Sequence, residues 1–206
     1  MLKSVGILSK VLSLPAGYRL FQRMVGMELA QRTFLAEHAK PAPGDKILDI
    51  GCGPADILDR LPEVNYSGLD ISPEYILAAQ QRFGSRGRFY CGDVGLATIE
   101  GELGTFDLVM AFGVVHHLDD ARAAKLFELA RRMLRPTGRL VTYDGCYVPR
   151  QSRFAHWMLA HDRGKFVRRE EEYLRLASAC FSQVEPRLRQ DLLRIPYTHL
   201  ILRCSN

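Results

Sequence analysis

The sequence predicts an α/β fold in which helices flank a mostly parallel sheet of seven strands. The main observation is the apolar run from Ile47 to Ile50, which Gly51 and Gly53 interrupt before the pattern becomes helical. A strand buried on both faces, a glycine turn and a helix are the elements with which an open α/β sheet forms a ligand crevice. The 206 residues, 47% of them hydrophobic, suffice for one such domain with a substantial core.

Helical and strand-like segments alternate along the chain. Residues 2–14 and 18–38 have apolar side chains at helical spacing, and since no strand precedes the glycine motif, these helices are expected beside or over the sheet. Two alternating segments at the C-terminus predict an antiparallel hairpin. We predict further strands at 64–69, 87–92, 106–112 and 140–143, helices at 54–61, 72–83, 121–135, 153–161 and 170–179, a surface loop at 94–105, and hairpin strands at 181–189 and 192–204.

Charge is distributed unevenly along the chain. The formal net charge is +5, but residues 1–120 carry −4 and residues 121–206 carry +9. The basic half favours an anionic substrate or surface, although most of its arginines are expected on solvated helix faces. The five cysteines are scattered without paired spacing, which is typical of reduced thiols in a cytoplasmic protein rather than of disulfides or a metal site. No segment is long and apolar enough to span a bilayer.

Acidic residues around the glycine turn distinguish two classes of nucleotide cofactor. A dinucleotide site places a pyrophosphate on the helix N-terminus and has glycine as the sixth residue of G-x-G-x-x-G, where this chain has Asp56. Asp49, just before the turn, adds a second negative charge. A cofactor with phosphates is therefore disfavoured, whereas S-adenosylmethionine, which carries a sulfonium and an ammonium but no phosphate, suits an acidic pocket.

Three segments resemble the class I S-adenosylmethionine-dependent methyltransferases. Residues 47–55 resemble the first motif of that family, with Ala55 where the family usually has a third glycine. The segment FDLVMAFGVVHHLDD, residues 106–120, resembles the fourth motif of the small-molecule members. Residues 135–139 resemble the LKPGG hairpin, with Thr137 in place of a glycine.

This resemblance implies a Rossmann-like class I methyltransferase fold with S-adenosyl-L-methionine as cofactor. It also implies a domain organisation in which residues 1–40 form an N-terminal helical lid and residues 41–206 form the methyltransferase domain. A small substrate-side insertion is expected at about residues 146–170.

The predicted cofactor site lies where successive strands end. Asp70 follows Gly51 by 19 residues, about where a doubly wound fold places an acid that accepts hydrogen bonds from the ribose hydroxyls. In the resembled family the acid after the third strand, here Asp93, accepts from the exocyclic amine of adenine, and Tyr18 would close the lid. The predicted cofactor-binding residues are Asp49, Gly51, Cys52, Gly53, Asp70, Ile71, Asp93, Val94, Phe112, His117 and Tyr18.

Two adjacent histidines after the fourth predicted strand are the main candidates for a general base. An unperturbed imidazole has a pKa near ~6.5, so His116 or His117 could take the proton of a hydroxyl or amine acceptor. The alternative, in which one of them packs against the adenosine, remains open. The predicted substrate-binding residues are Tyr143, Asp144, Arg163 and Arg168; the weaker candidates for the base are Tyr143, Asp144, His161 and Tyr197.

These features predict an enzyme that methylates an oxygen or nitrogen of a small, anionic metabolite or biosynthetic intermediate. The fourth-motif segment lacks the [DNS]-P-P-[FYW], Pro-Cys and paired-glutamate signatures of other methyltransferase classes. Three alternatives remain: a methyltransferase that binds RNA through the basic half, an S-adenosylmethionine-binding protein without catalysis, and a nicotinamide-dependent oxidoreductase. The acceptor, the oligomeric state and any contact between the N-terminal helix and a membrane stay open.

Overall fold

The computed structural model of the protein describes residues 26–93, 104–161 and 164–206. Several predicted features lie outside these residues. They are the first helix, most of the lid with Tyr18, most of the predicted loop with Val94, and Arg163.

The described residues form eight strands and five α-helices. The strands are β1 Lys46–Ile50, β2 Asn65–Asp70, β3 Gly87–Cys91, β4 Phe106–Phe112, β5 Leu134–Tyr147, β6 Arg168–Arg169, β7 Gln183–Arg189 and β8 His199–Ser205. The helices are α1 Met27–Thr33, α2 Pro73–Phe83, α3 Asp120–Met133, α4 Arg153–Ala160 and α5 Glu170–Ser178. A π-helix, Phe34–Ala39, continues α1, and short 3₁₀-helices lie at Asp56–Arg60 and Val115–His117.

The sheet has the predicted mostly parallel arrangement and the predicted C-terminal hairpin. Seven strands follow one another in the order β3-β2-β1-β4-β5-β8-β7, and the first five of these are parallel. Strand β8 runs antiparallel to both β5 and β7. Because β1, β2, β4 and β5 are parallel, their carboxyl ends meet at one edge of the sheet, where the glycine turn also lies.

Both faces of the sheet are covered, which explains why β1 and β4 are apolar along their length. On one face Leu48, Val109 and Leu140 pack with the apolar sides of α3 and α5. On the other face Ile47 and Met110 pack with the π-helix, the first 3₁₀-helix and α2. The buried strands thus form a rigid support for the side chains at their carboxyl ends.

Several predicted boundaries are wrong. The last hairpin strand begins at His199 instead of residue 192, and β5 ends at Tyr147 instead of residue 143. The helix expected at 54–61 is only the 3₁₀-helix Asp56–Arg60, because Ala55 adopts a left-handed φ of +58° and delays the start of the helix. Strand β5 begins at Leu134 instead of residue 140: Leu134 pairs with Phe106 across a register shift. Gly138 permits this close approach, since a Cβ there would lie 2.9 Å from the carbonyl oxygen of Phe106.

None of the helices in the described ranges is long and apolar enough to cross a membrane. All five cysteines are free thiols. No cluster of metal-binding side chains occurs among residues 26–93, 104–161 and 164–206.

Candidate active site

The turn after β1 is held against β2 and is open at its outer side. The N–H groups of Gly51 and Cys52 donate to the carbonyl of Leu69 at 2.7 and 3.1 Å. Gly51 and Gly53 have φ values of +71° and +54°, which glycine adopts without strain. A Cβ at Gly51 would lie 2.5 Å from Cγ2 of Val114, whereas one at Gly53 would meet no atom within 4 Å. The turn therefore packs on the segment after β4 at Gly51 and leaves space for a ligand at Gly53.

Asp70 connects the glycine turn to the start of α2. Its carboxylate accepts from the N–H of Gly53 at 2.9 Å and from the N–H of Ser72 at 2.9 Å. Ser72 is the N-cap of α2, and its Oγ accepts from the N–H of Tyr75. A carboxylate offers about four acceptor sites, so Asp70 retains capacity for ligand hydroxyls. The predicted contact with the ribose remains a prediction that this geometry permits.

Asp49 is buried beneath the turn and is only partly ionised near neutral pH. It is 2% exposed, and the hydroxyl of Tyr66 donates to its Oδ2 at 2.7 Å. Burial raises the pKa of Asp49 to about 7, and the nearby Asp70 carboxylate adds to this effect, while the bond from Tyr66 opposes it. Burial also raises the pKa of the Cys52 thiol, so that Cys52 is a neutral packing group in the turn.

The electrostatic role predicted for Asp56 is wrong. The carboxylates of Asp56 and Asp59 both pair with the guanidinium of Arg82 on α2. The charge of Asp56 is therefore balanced by Arg82 and is not displayed towards a cofactor in the glycine turn. The acidic groups that act on the turn are Asp70 and, when ionised, Asp49.

Asp93, predicted to meet the adenine amine, forms an ion pair with Arg122 of α3. This pair raises the pKa of Arg122 through the hydrogen bond and the charge of Asp93. An adenine amine would therefore share the carboxylate with a guanidinium. Ile71, beside Asp70, is 62% exposed and offers an apolar surface at the same edge.

A row of stacked rings crosses the sheet at the carboxyl ends of β4 and β5. Phe112 stacks on Tyr143 at 4.2 Å between centroids, and Tyr143 stacks on His199 at 4.4 Å. Phe34 of the π-helix meets Phe112 edge-on at 5.1 Å. The hydroxyl of Tyr143 is buried and has no hydrogen-bond partner among the described residues, and burial raises its pKa. Tyr143 is therefore suited to donate a hydrogen bond to a ligand rather than to act as a base.

The two histidines predicted as base candidates occupy different environments. His116 is buried, and its Nδ1 lies 2.8 Å from Oδ1 of Asp144, which also accepts from the His116 backbone N–H at 3.1 Å. His117 is exposed, and its ring lies 4.3 Å from that of His116. Because an ionised carboxylate only accepts, Nδ1 of His116 carries a proton in this pair. Asp144 thus orients His116, and His116 supports the exposed ring of His117.

Residues 164–168 form a strap over the histidine loop. A Cβ at Gly164 would overlap the His116 ring, and the N–H of Phe166 donates to the carbonyl of His116 at 2.9 Å. Arg168 is 5% exposed; its guanidinium donates to the carbonyls of Val115, Phe166 and Leu118 and to Asp120. The prediction that Arg168 binds the substrate is therefore wrong, because its donors are committed to the histidine loop and to Asp120.

Three residues that organise the site were missed by the sequence analysis. They are Val114, which packs on Gly51, Gly164, which covers His116, and Arg122, which pairs with Asp93. The sequence offered one signal, the glycine within the charged segment after residue 161. The other two contacts join segments that are distant in sequence.

The glycine turn, the acids at the carboxyl ends of β1, β2 and β3, and the histidine loop after β4 form the arrangement expected of a nucleotide-cofactor site. Residues 47–138 match the family model described as a methyltransferase domain. A malonyl-[acyl-carrier protein] O-methyltransferase from Paenibacillus sp. (strain JDR-2) is 33% identical over 128 residues, which are 58% of this chain and 46% of that protein. The chain spans less than half the length of the curated relatives it matches.

Two solved structures show the same fold. A TehB-like SAM-dependent methyltransferase from Corynebacterium glutamicum is 20% identical with a TM-score of 0.62, over 86% of this chain and 88% of that chain. A geranyl diphosphate C-methyltransferase from Streptomyces coelicolor A3(2), in complex with Mg²⁺, geranyl diphosphate and S-adenosyl-L-homocysteine, is 18% identical with a TM-score of 0.65, over 86% and 80%. Residues 47–138 therefore resemble a methyltransferase domain, and the chain has the fold of the class I S-adenosylmethionine-dependent methyltransferases.

Proposed function

We propose that the protein transfers the methyl group of S-adenosylmethionine to an oxygen or nitrogen of a small anionic acceptor. The observation that carries the proposal is the contact of Val114 with Gly51, which brings the histidine loop to the border of the glycine turn. The residues present fit the cofactor, since Gly53 faces open space and Asp70 has acceptor capacity beside it.

The cofactor supplies a methyl group already activated by a positive sulfur. The chain must align the acceptor with that methyl group and exclude water, and such positioning can supply ~7–11 kcal/mol. The lone pair of the acceptor forms the new bond to carbon while the carbon–sulfur bond breaks. A hydroxyl or amine acceptor also loses a proton, and a positioned base contributes roughly 10²–10⁴ in rate. His117, exposed beside His116, is the proposed base, and His116 with Asp144 positions it.

Anionic acceptors are supported by charge and by the relatives. Residues 121–206 carry a net +9, and two relatives are named for malonyl-[acyl-carrier protein] and geranyl diphosphate. The RNA-binding alternative is less favoured, because five arginines of the basic half are paired with carboxylates. These are Arg122, Arg135, Arg168, Arg175 and Arg189. An RNA affinity that falls steeply with salt would restore that alternative.

The first experiment is calorimetry with S-adenosylmethionine. Asp70→Ala should weaken binding by about 1.5–3 kcal/mol, the value of hydrogen bonds to a charged acceptor. Asp70→Asn retains one oxygen and should lose less. Because Asp70 also holds the glycine turn, thermal unfolding of each variant serves as the control. Absence of binding by the unaltered protein at millimolar cofactor would refute the proposal.

The second experiment identifies the reaction. His117→Ala should reduce turnover far more than it reduces cofactor affinity. The acceptor itself can be found by mass spectrometry of cell extracts supplied with labelled methyl donor, with and without the protein. If His117→Ala lowers only cofactor affinity, His117 packs against the cofactor and is not the base.

A further inference from the structure

A groove beyond the end of β5 lies outside the set of predicted site residues. Its volume is about 370 Å³, within the range of about 300–1,000 Å³ that is typical of small-molecule sites. Because β5 is parallel to β4, the groove lies at the edge of the sheet that carries the glycine turn. Its lining residues are Val148, Arg150, Gln151, Arg153 and His156.

Both arginines of the groove lack an acidic partner in the part of the chain that the structure describes. Eight other arginines there form ion pairs within 4.0 Å, and no carboxylate lines the groove. Arg150 and Arg153 are exposed; Arg150 precedes Gln151 in the sequence and Arg153 follows it. A guanidinium presents a planar fork of donors that matches phosphate oxygens, and two forks suit a dianion with three acceptor oxygens better than a single carboxylate.

Gln151 fixes the groove to the sheet. Its Nε2 donates to the carbonyl of Cys146 at 3.2 Å and to Oγ1 of Thr198 at 2.8 Å. Its Oε1 is buried and has no hydrogen-bond partner within the described ranges.

Two aromatic rings lie exposed on α4, the helix that contributes Arg153 and His156 to the groove. Phe154 and Trp157 of α4 are 51% and 52% exposed, and their rings stack with centroids 6.1 Å apart. Arg153 and Trp157 are four residues apart on α4, so they share one face of the helix. An apolar surface next to unpaired cations is complementary to a molecule with an anionic head and an apolar body.

We propose that this groove binds the phosphate group of a soluble amphiphilic phosphate ester, whose apolar part lies on Phe154 and Trp157. The ester is the methyl acceptor, and this role rests on the proposed function. Binding in the groove does not depend on methyl transfer, so the two proposals can fail separately.

Trp157 is the only tryptophan of the chain and therefore reports binding directly. Octyl phosphate should change its fluorescence saturably, whereas octyltrimethylammonium and octanol should not. Inorganic phosphate should compete. The double variant Arg150→Gln/Arg153→Gln should lose about tenfold or more in affinity for octyl phosphate, as expected for loss of charge-assisted hydrogen bonds. The double variant Arg187→Gln/Arg203→Gln removes the same charge from exposed positions on the hairpin and should bind like the unaltered protein.

Three results would overturn the proposal. One is an equal loss in both double variants, which would indicate attraction by net charge alone. Another is a fluorescence response to vesicles of phosphatidylglycerol with none to octyl phosphate, which would make this face a membrane-docking surface. The third is the absence of any saturable response to octyl phosphate. Calorimetry with S-adenosylmethionine on the same proteins separates the outcomes: loss of cofactor binding with retained octyl phosphate binding refutes methyl transfer and leaves the phosphate site standing.

Discussion

Arg168 and Arg175 bind the same carboxylate from different environments, which permits a matched test of the strap over the histidine loop. Arg168 lies 2.9 Å from Oδ1 of Asp120 with a side chain that is 6% exposed, and Arg175 lies 2.8 Å from Oδ2 with a side chain that is 65% exposed. Arg168 additionally donates to three backbone carbonyls.

Arg168→Met should destabilise the protein by about 3–5 kcal/mol. The variant leaves three backbone carbonyls without their donor, and each buried acceptor left unsatisfied costs about 1–3 kcal/mol, whereas the ion pair with the exposed Asp120 adds little. This is a large share of the about 5–15 kcal/mol that stabilises a typical domain. Arg175→Met should cost about 0–1 kcal/mol, since an exposed ion pair gains little over hydration.

Urea unfolding followed by circular dichroism measures the change in the free energy of unfolding for both variants. The rate of methyl transfer measures the effect of each variant on the active site. The hydrogen bonds from Arg175 and Arg168 both lower the pKa of Asp120, with that from Arg175 the larger. The charge of Asp120 therefore cannot explain a greater loss in Arg168→Met. Equal destabilisation by the two variants would refute the idea that Arg168 holds the histidine loop through its carbonyls.

Three further outcomes are expected. Burial raises the pKa of Asp49 to about 7, whereas the pKa in the unfolded chain is ~3.9. The folded state therefore binds the proton more tightly, and the contribution of Asp49 to the free energy of unfolding is complete below pH ~4. This contribution is lost as the pH rises to about 7, at about 1.4 kcal/mol per pH unit. Asp49→Asn should remove this slope from urea unfolding measured across that range, and an unchanged slope would show that Asp49 titrates normally. Gly164→Ala should place a methyl group into the His116 ring and lower both the thermal stability and the turnover. An unchanged midpoint of thermal unfolding would contradict this prediction. Asp144→Ala should lower kcat roughly 10²-fold or more while cofactor affinity in calorimetry stays the same; a loss confined to affinity would place Asp144 in the cofactor site instead.

Local signals predicted the cofactor side of the fold well. The apolar run of β1, the glycine turn and the cap of α2 by Ser72 and Pro73 each depend on neighbours in sequence, and the structure has β1, the turn and α2 where they were expected. Ala55 is instructive, since it occupies a left-handed conformation at the position where a glycine was expected. The left-handed conformation of this single residue shortens the helix that follows, and the spacing of apolar residues could not indicate it.

Charges were harder to interpret, because a charged side chain has many compatible partners. Asp56 was expected to shape the cofactor site, but Arg82, on the next α-helix, takes its carboxylate. Arg168 was expected to bind a substrate anion, but carbonyls of the histidine loop satisfy the same fork of donors. The pair of His116 and Asp144 depends on the register of β4 against β5. Only a three-dimensional arrangement decides among such partners.

The segment that matches the family model, residues 47–138, is shorter than the folded domain. The match to the family ends at residue 138, inside β5, and a fragment cut there would leave β4 with a single pair to β5, Phe106 with Leu134, and an unpaired edge prone to self-association. The partner of His116, the strap and the groove proposed to bind phosphate all lie past that point. On the proposed function, substitutions in the last third of the molecule can change which acceptor is methylated without altering the glycine turn.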